Sequence, residues 1–302
     1  MTTKRWVART RGSIADVARD AGADADALSD GRIFIGRERA TEVAVGEAGT
    51  EITIHERSAV VAVEVIQRTN DLVAVIKPAG IPTIPDHGGR EHALLAATAR
   101  ATGLAIEALH PTSRLDRDVS GVVVFAITAR GRDELTRARE AGLYTRRYVA
   151  LATRAPSPES GTWDAPIGRG RAPRLRAVRG REAQTATTRY RTIARAGDRA
   201  LLAIDPQTGR THQIRVHASA AGAPLLGDGD YGGPTRLTLP GGRSQTLHRV
   251  YLHCAKVVIG LDGGPSTLLA PIPAELQSLW ATLEGADSAW ADALSASVTE
   301  QA

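Results

Sequence analysis

Between His110 and Ile127 the chain reads HPTSRLDRDVSGVVVFAI, and this stretch concentrates the residues best suited to chemistry. An apolar run, Val122 to Ile127, predicts a buried β-strand. The polar loop before it carries Arg114, Asp116, Arg117 and Asp118 and closes on Ser120-Gly121. A carboxylate held on a loop at the mouth of a strand can serve as nucleophile or general base, and Asp116, between two arginines, is the candidate. The same residues also suit a turn whose side chains cap backbone groups and face solvent.

A second loaded stretch is TGRTHQIRVHASAAG. Its pattern predicts a helix capped by Thr211 and stopped by Gly222. Ile214, Ala218 and Ala221 then share one face, while His212, Arg215 and Ser219 share another. One face packs and the other presents a fixed guanidinium, although taken alone Arg215 better suits a surface position on an amphipathic helix. His212 and His217 have no carboxylate or cysteine at metal-ligand spacing, so no metal site is expected. Tyr148 enters a predicted strand, RRYVALA, from a basic pair, a placement that also suits core packing with the hydroxyl at the surface.

The elements around these residues follow from periodicity and punctuation. Ser13 caps a predicted helix that stops at Gly22, and a second short helix is expected over residues 25–28. GRIFIGRERAT alternates like a strand pair about Gly36-Arg37, and EITIH adds another strand. Residues 60–66 are read as an entry strand. Leu72 to Ile76 is a strand leading into a loop stiffened by Pro78, Pro82 and Pro85. Helices are expected over residues 91–102 and 129–141, ending at Gly103 and Gly142. Strands are expected over 187–193 and 201–204, paired across Gly197-Asp198, and again within 247–259. A closing helix over 271–283 points Leu276, Leu279 and Leu283 inward.

The 302 residues suffice for one large domain and a small module, and 42% hydrophobic residues support a packed core. A single cysteine, Cys254, rules out an internal disulfide framework and suits a buried small hydrophobe. With no charged-then-apolar leader and no apolar run of about 18 residues, a soluble cytoplasmic protein is expected. The net charge is +5, and nine arginines lie between Gly161 and Arg195 against only Asp164 and Glu182. Beyond Lys256 there is no Lys or Arg, so the arginine is clustered and not a uniform bias. Such clustering is the footprint expected for a phosphate-backbone partner. Residues 161–195 are expected to form a long, mobile, basic arm.

RLDRDVSG closely resembles the RLDxxTSG signature of the RluA family of pseudouridine synthases. NDLVAVIKPAG before it, with RRYVAL and TGRTHQIRVH after it, match that family in order, and GDGDYGG and LHRVYLH follow where it has similar blocks. Four ordered blocks are far more specific than one motif. The resemblance implies an α+β fold, a large and mostly antiparallel mixed sheet with a central catalytic cleft, over residues 58–283. It also implies isomerisation of uridines in structured ribosomal or transfer RNA, by a monomer with no cofactor and no membrane association. Asp116 would be the catalytic aspartate, Arg215 its bidentate ionic partner and Tyr148 the active-site tyrosine. Arg114 would fill the gap left by a flipped nucleotide, and Lys77 would meet a phosphate. Arg169, Arg171, Arg174 and Arg176 would line the RNA surface.

Residues 1–57, with a basic lead-in, resemble the alpha-L RNA-binding module, with Arg32, Arg37 and Arg39 exposed toward RNA. Residues 284–302 are expected to fray. Two positions depart from the family pattern. Ser113 stands where a histidine is usual, and Val119 replaces a threonine. The alternatives are an RNA-binding protein or folding helper with a vestigial site, and an aspartate-nucleophile hydrolase, for which no phosphate loop or metal cluster is found.

Overall fold

The computed structural model describes residues 3–36, 38–41, 43–55, 61–86, 92–262 and 264–298. Its centre is a ten-stranded mixed sheet. From one edge the order is Ser160–Trp163, Thr188–Ala196, Arg199–Pro206, Tyr144–Ala152, Leu252–Leu261, Ser120–Ala126, Leu72–Lys77 and Glu64–Arg68. Gly264–Leu269 pairs with Leu252–Leu261, and His110–Pro111 with Ser120–Ala126. All named pairings are antiparallel except one: Ser120–Ala126 meets Leu252–Leu261 in parallel through just Ser120↔His253 and Gly121↔Cys254. The strands come this close because Gly121 has no side chain. A Cβ there would lie 2.2 Å from the Cys254 carbonyl oxygen, and its φ of +124° also favours glycine.

Alternation along the strands divides the interior into two cores. Tyr148, Ala150 and Ala152 face one side with Leu202 and Ile204, against α2 (Leu94–Thr102), α3 (Ala129–Glu140) and α4 (Gln213–Ala220). Val149, Leu151, Leu201 and Ala203 face the other, against α5 (Ala274–Thr282) and α6 (Ala289–Ser295). Gly103 and Gly142, at φ of 69° and 71°, end α2 and α3 as expected.

The tail differs from expectation. Trp290 packs edge-on to Trp280 at 6.4 Å, and Ala293 and Val298 are also buried. This apolar contact orders a segment that looks merely small and acidic in sequence. The arginine-rich segment is likewise ordered, into a compact sheet of Ile167–Arg169, Arg176–Val178 and Arg181–Gln184. Ile167 and Ala186 anchor it on Val216 of α4.

The leading module is an antiparallel sheet of Thr3–Val7, Glu51–His55, Ile33–Ile35 and Glu38–Arg39, packed on α1 (Ile14–Asp20). The basic lead-in is therefore a strand over much of its length, because Trp6 and its neighbours pair with Glu51–His55. Residues 25–28 form turns and no helix. Arg32 also departs from expectation. It is 1% exposed, paired with Asp24 and with Asp30 at 3.2 Å, and donates to the His55 carbonyl at 3.1 Å. It is a buried tie between strand and loop and faces no solvent. Arg39 is half-buried, lies over the Phe34 ring and donates to the Asp86 carbonyl at 2.7 Å. Arg37 lies outside the described residues. Among the described residues no helix is long and apolar enough to cross a membrane.

Candidate active site

The loop bearing Asp116 is held from below by the proline-stiffened loop. Thr83, buried, donates its hydroxyl to the Leu115 carbonyl at 2.9 Å and accepts from the Leu115 amide at 3.1 Å. The Gly80 amide and the Lys77 ammonium both donate to the Arg117 carbonyl, at 2.9 and 2.8 Å. Lys77 donates as well to the Pro78 carbonyl at 2.9 Å and is fully buried, so it meets no phosphate. Its aliphatic stem is packed where the expectation placed a surface cation. Burial, reinforced by the Arg249 charge, pushes the Lys77 ammonium down to about 7. Arg117 turns away from Asp116 to pair with Asp86. The cations adjacent to Asp116 in sequence are thus not its main partners in space.

That partner is Arg215. Its Nη1 donates to Asp116 Oδ2 at 3.2 Å. The bidentate pair expected with Asp116 forms instead with Asp228, through Nε–Oδ2 at 2.8 Å and Nη2–Oδ1 at 2.7 Å. Asp230 adds a contact at 3.4 Å. Asp228 is fully buried, and it fixes the plane of the guanidinium. Burial alone would lower the Arg215 pKa, but hydrogen bonds and charge from Asp228, then Asp116, reverse this and raise it. Arg215 thus remains a cation, and α4 buries it together with Gln213, Ile214, Val216, His217 and Ala218.

α4 starts one residue later than expected and without a side-chain cap from Thr211. His212 adopts φ 58°, and the Gln213 side chain accepts from the Arg210 amide at 2.9 Å and from the Thr208 hydroxyl at 2.7 Å. His212 Nδ1 lies 2.7 Å from the Tyr231 hydroxyl, and its Nε2 lies 4.0 Å from Asp116 Oδ1. Tyr231 also lies under the Arg215 guanidinium, 4.9 Å from ring centroid to Cζ. Sequence reasoning passed over Asp228, Asp230 and Tyr231 as turn residues of GDGDYGG. Two aspartates flanking a glycine within two dozen residues of a buried arginine were the signal available.

Tyr148 sits where the register slips between Arg147 and Tyr148, opposite Cys254. Such a bulge re-aims a side chain. Tyr148 lines the cleft on the same sheet face as α4 and is 5% exposed. Burial, then the neighbouring Cys254, raises its hydroxyl pKa well above the usual tyrosine range. Behind the loop, Ser120 Oγ lies 2.7 Å from His253 Nδ1 and accepts from Arg249 Nη2 at 2.7 Å.

Together these residues border a cleft of about 1090 Å³, with Asp116, Arg215, His212 and Tyr148 in its wall and the exposed Arg114 at its rim. Arg176 also lines it and donates to the Pro173 and Leu175 carbonyls, while Arg174 pairs with Asp230 at 3.1 Å. Arg169, exposed, pairs with Glu182 at 3.2 Å, and Arg171 is exposed.

Residues 71–220 match the family described as RNA pseudouridylate synthase. An uncharacterized RNA pseudouridine synthase of Chloroflexus aurantiacus is 41% identical over 205 residues, spanning 67% of this chain and 63% of its own length. The ribosomal large subunit pseudouridine synthase D of Xanthomonas campestris is 32% identical over 85% of this chain and 81% of its own. The solved human RNA pseudouridylate synthase domain containing 4 superposes with a TM-score of 0.58 at 24% identity, covering 73% of this chain and 92% of that one. That last likeness speaks to the fold. With the ordered motifs, the sheet and the relatives in agreement, the chain belongs to the RluA family of RNA pseudouridine synthases.

Proposed function

We propose that the protein converts specific uridines of structured RNA, ribosomal or transfer, to pseudouridine, with Asp116 as the catalytic carboxylate. The observation that carries this reading is the asymmetry of that carboxylate. Arg215 holds Oδ2, while Oδ1 has no hydrogen-bond partner among the described residues, and Asp116 lines the cleft. A charged oxygen so oriented can attack the anomeric carbon or take a proton from the sugar. Either route breaks the N1–C1′ bond, lets the uracil turn in the cleft, and ends with a C5–C1′ bond, C5 giving up its proton and N1 taking one up through solvent. Atoms and electrons are conserved, so the isomerisation calls for no co-reactant.

Arg215 keeps the carboxylate charged and aimed. The Tyr148 hydroxyl resists ionisation, which favours contact with the uracil ring over proton acceptance. Arg114 at the rim is placed to occupy the gap left by a flipped nucleotide. The exposed Arg169 and Arg171, with Arg174 and Arg176 nearer the cleft, form the basic face that takes the RNA backbone. The leading module supplies a second hold on RNA, to which Arg32, being buried, makes no contribution. Because one relative's name specifies the large ribosomal subunit, ribosomal RNA is the first substrate to test.

The decisive variant is Asp116→Asn, which keeps the shape but removes charge, nucleophilicity and basicity. Single-turnover pseudouridine formation at saturating enzyme should vanish while RNA affinity is unchanged or slightly higher. Activity within a few-fold of the parent would sink the assignment. A parent protein inert on bulk RNA would point instead to a vestigial site.

A further inference from the structure

The chemistry proposed above gives His212 in the cleft wall no part. His212 occupies the left-handed backbone region, at φ 58°, an arrangement disfavoured for a non-glycine residue. Its ring is held there by Tyr231. The Tyr231 oxygen accepts the Arg176 backbone N–H at 3.0 Å, and its own O–H is 2.7 Å from His212 Nδ1. With Nδ1 accepting that proton, a neutral imidazole must carry its hydrogen on Nε2. Burial favours the neutral ring, which Asp116 opposes.

Nε2 then carries an N–H 4.0 Å from Asp116 Oδ1. This is too far for a direct hydrogen bond, and it suits one bridging oxygen with two legs of about 2.8 Å, which would meet at roughly 90°. The bridging group must accept from Nε2–H and donate to a carboxylate. A carbonyl, an ether or a phosphate diester oxygen cannot donate, and an amine cation cannot accept, whereas a hydroxyl does both. Within an RNA chain the 3′ and 5′ oxygens are esterified, so the free sugar hydroxyl is the 2′-OH. It lies next to the anomeric carbon on which Asp116 acts.

We infer that His212 Nε2 and Asp116 Oδ1 clamp the 2′-hydroxyl of the target nucleotide, making His212 the residue by which the enzyme tells ribose from deoxyribose. This rests on the reading of Asp116 as the group at the anomeric centre. Tyr231 is the positioning residue behind it, and it also ties His212 to the basic sheet through the Arg176 amide.

The test compares RNA oligonucleotides carrying uridine or 2′-deoxyuridine at the target, in single-turnover assays and in competition binding. Where the deoxy substrate does not turn over, the preference is read from the binding ratio. The parent should prefer the ribose form by about tenfold to a hundredfold. His212→Asn tolerates the left-handed backbone but is too short to reach the bridge, and should lose most of that preference. His212→Gln restores an N–H at similar reach and should keep it to within about threefold. Tyr231→Phe, which touches no substrate, should weaken the preference by freeing the tautomer. A His212→Asn protein that folds normally and still discriminates as the parent does overturns the inference. If Asp116→Asn is inactive in that same experiment, the inference fails alone. If Asp116→Asn is active, the underlying reading fails with it.

Discussion

Replacing Asp228 by asparagine would change little in shape and much in charge. Asp228 is fully buried and makes both hydrogen bonds that orient Arg215, at 2.8 and 2.7 Å. Removing one member of a buried ion pair costs about 3–5 kcal/mol, because the other charge is left desolvated. Two features temper this here. Asp116 at 3.2 Å and Asp230 at 3.4 Å remain beside the guanidinium, and the amide retains one acceptor oxygen. The expected loss is therefore about 2–3 kcal/mol, measured as a lower urea midpoint at unchanged slope by tryptophan fluorescence. Arg215 would also lose its fixed plane, and misplacing an aligned group by about 1 Å costs around a hundredfold in rate. Single-turnover activity should fall by that order with RNA affinity nearly intact. Asp230→Asn, at a more exposed site, should shift stability by less than about 1 kcal/mol. An Asp228→Asn protein with parental midpoint and parental rate would refute Asp228 as the anchor of Arg215.

Converting Arg169 and Arg171 to glutamine should flatten the log–log salt dependence of RNA binding by about one unit per lost phosphate contact, whereas Arg176→Gln should flatten it less, because that guanidinium already serves two carbonyls. An unchanged slope in the double variant would remove this sheet from the RNA surface. Lys77 should leave a pH signature. Its native pKa of about 7 lies below the ordinary 10.5, so between those values the unfolded chain binds the extra proton and stability rises with pH. The increment is on the order of a few kcal/mol. Urea midpoints from pH 7 to 9.5 should climb more steeply in the parent than in Lys77→Met, and parallel profiles would contradict the buried-ammonium account.

Much of this architecture is legible in the sequence, since strand alternation and glycine stops are local signals. The runs at Leu72–Lys77 and Ser120–Ala126, and the ends of α2 and α3, follow from them directly. The ordered motifs identify Asp116 and Arg215, which the fold brings to 3.2 Å across 99 positions of chain. Burial of charge is harder to read. Arg32 and Lys77 look like surface cations because a carbonyl that satisfies each, of His55 and of Arg117, is supplied by a distant segment. Asp228 was missed for the same reason, its turn-rich surroundings giving no hint of an arginine waiting inside. α6 is hard to read because seven residues are too few for a helix to hold alone, and Trp290 meeting Trp280 supplies the rest.

The narrow parallel junction at Gly121 makes the Asp116–Arg215 pair a latch. Asp116 belongs to the part of the sheet built from Ser120–Ala126, Leu72–Lys77 and Glu64–Arg68, while α4 and Arg215 ride on Thr188–Ala196 and Arg199–Pro206 beyond the seam. The two parts are joined along the sheet by two residue pairs, stitched from inside by Ser120, His253 and Arg249. The ion pair closes only while the halves hold their mutual angle, and that angle is kept by the core that Val122 and Val124 share with Tyr148, Leu202 and Ile214 across the seam. RNA gripped by Arg114 on one half and by the basic sheet on the other would load both sides of this seam. On the proposed role of Asp116, engagement of substrate and alignment of the carboxylate then become a single mechanical event.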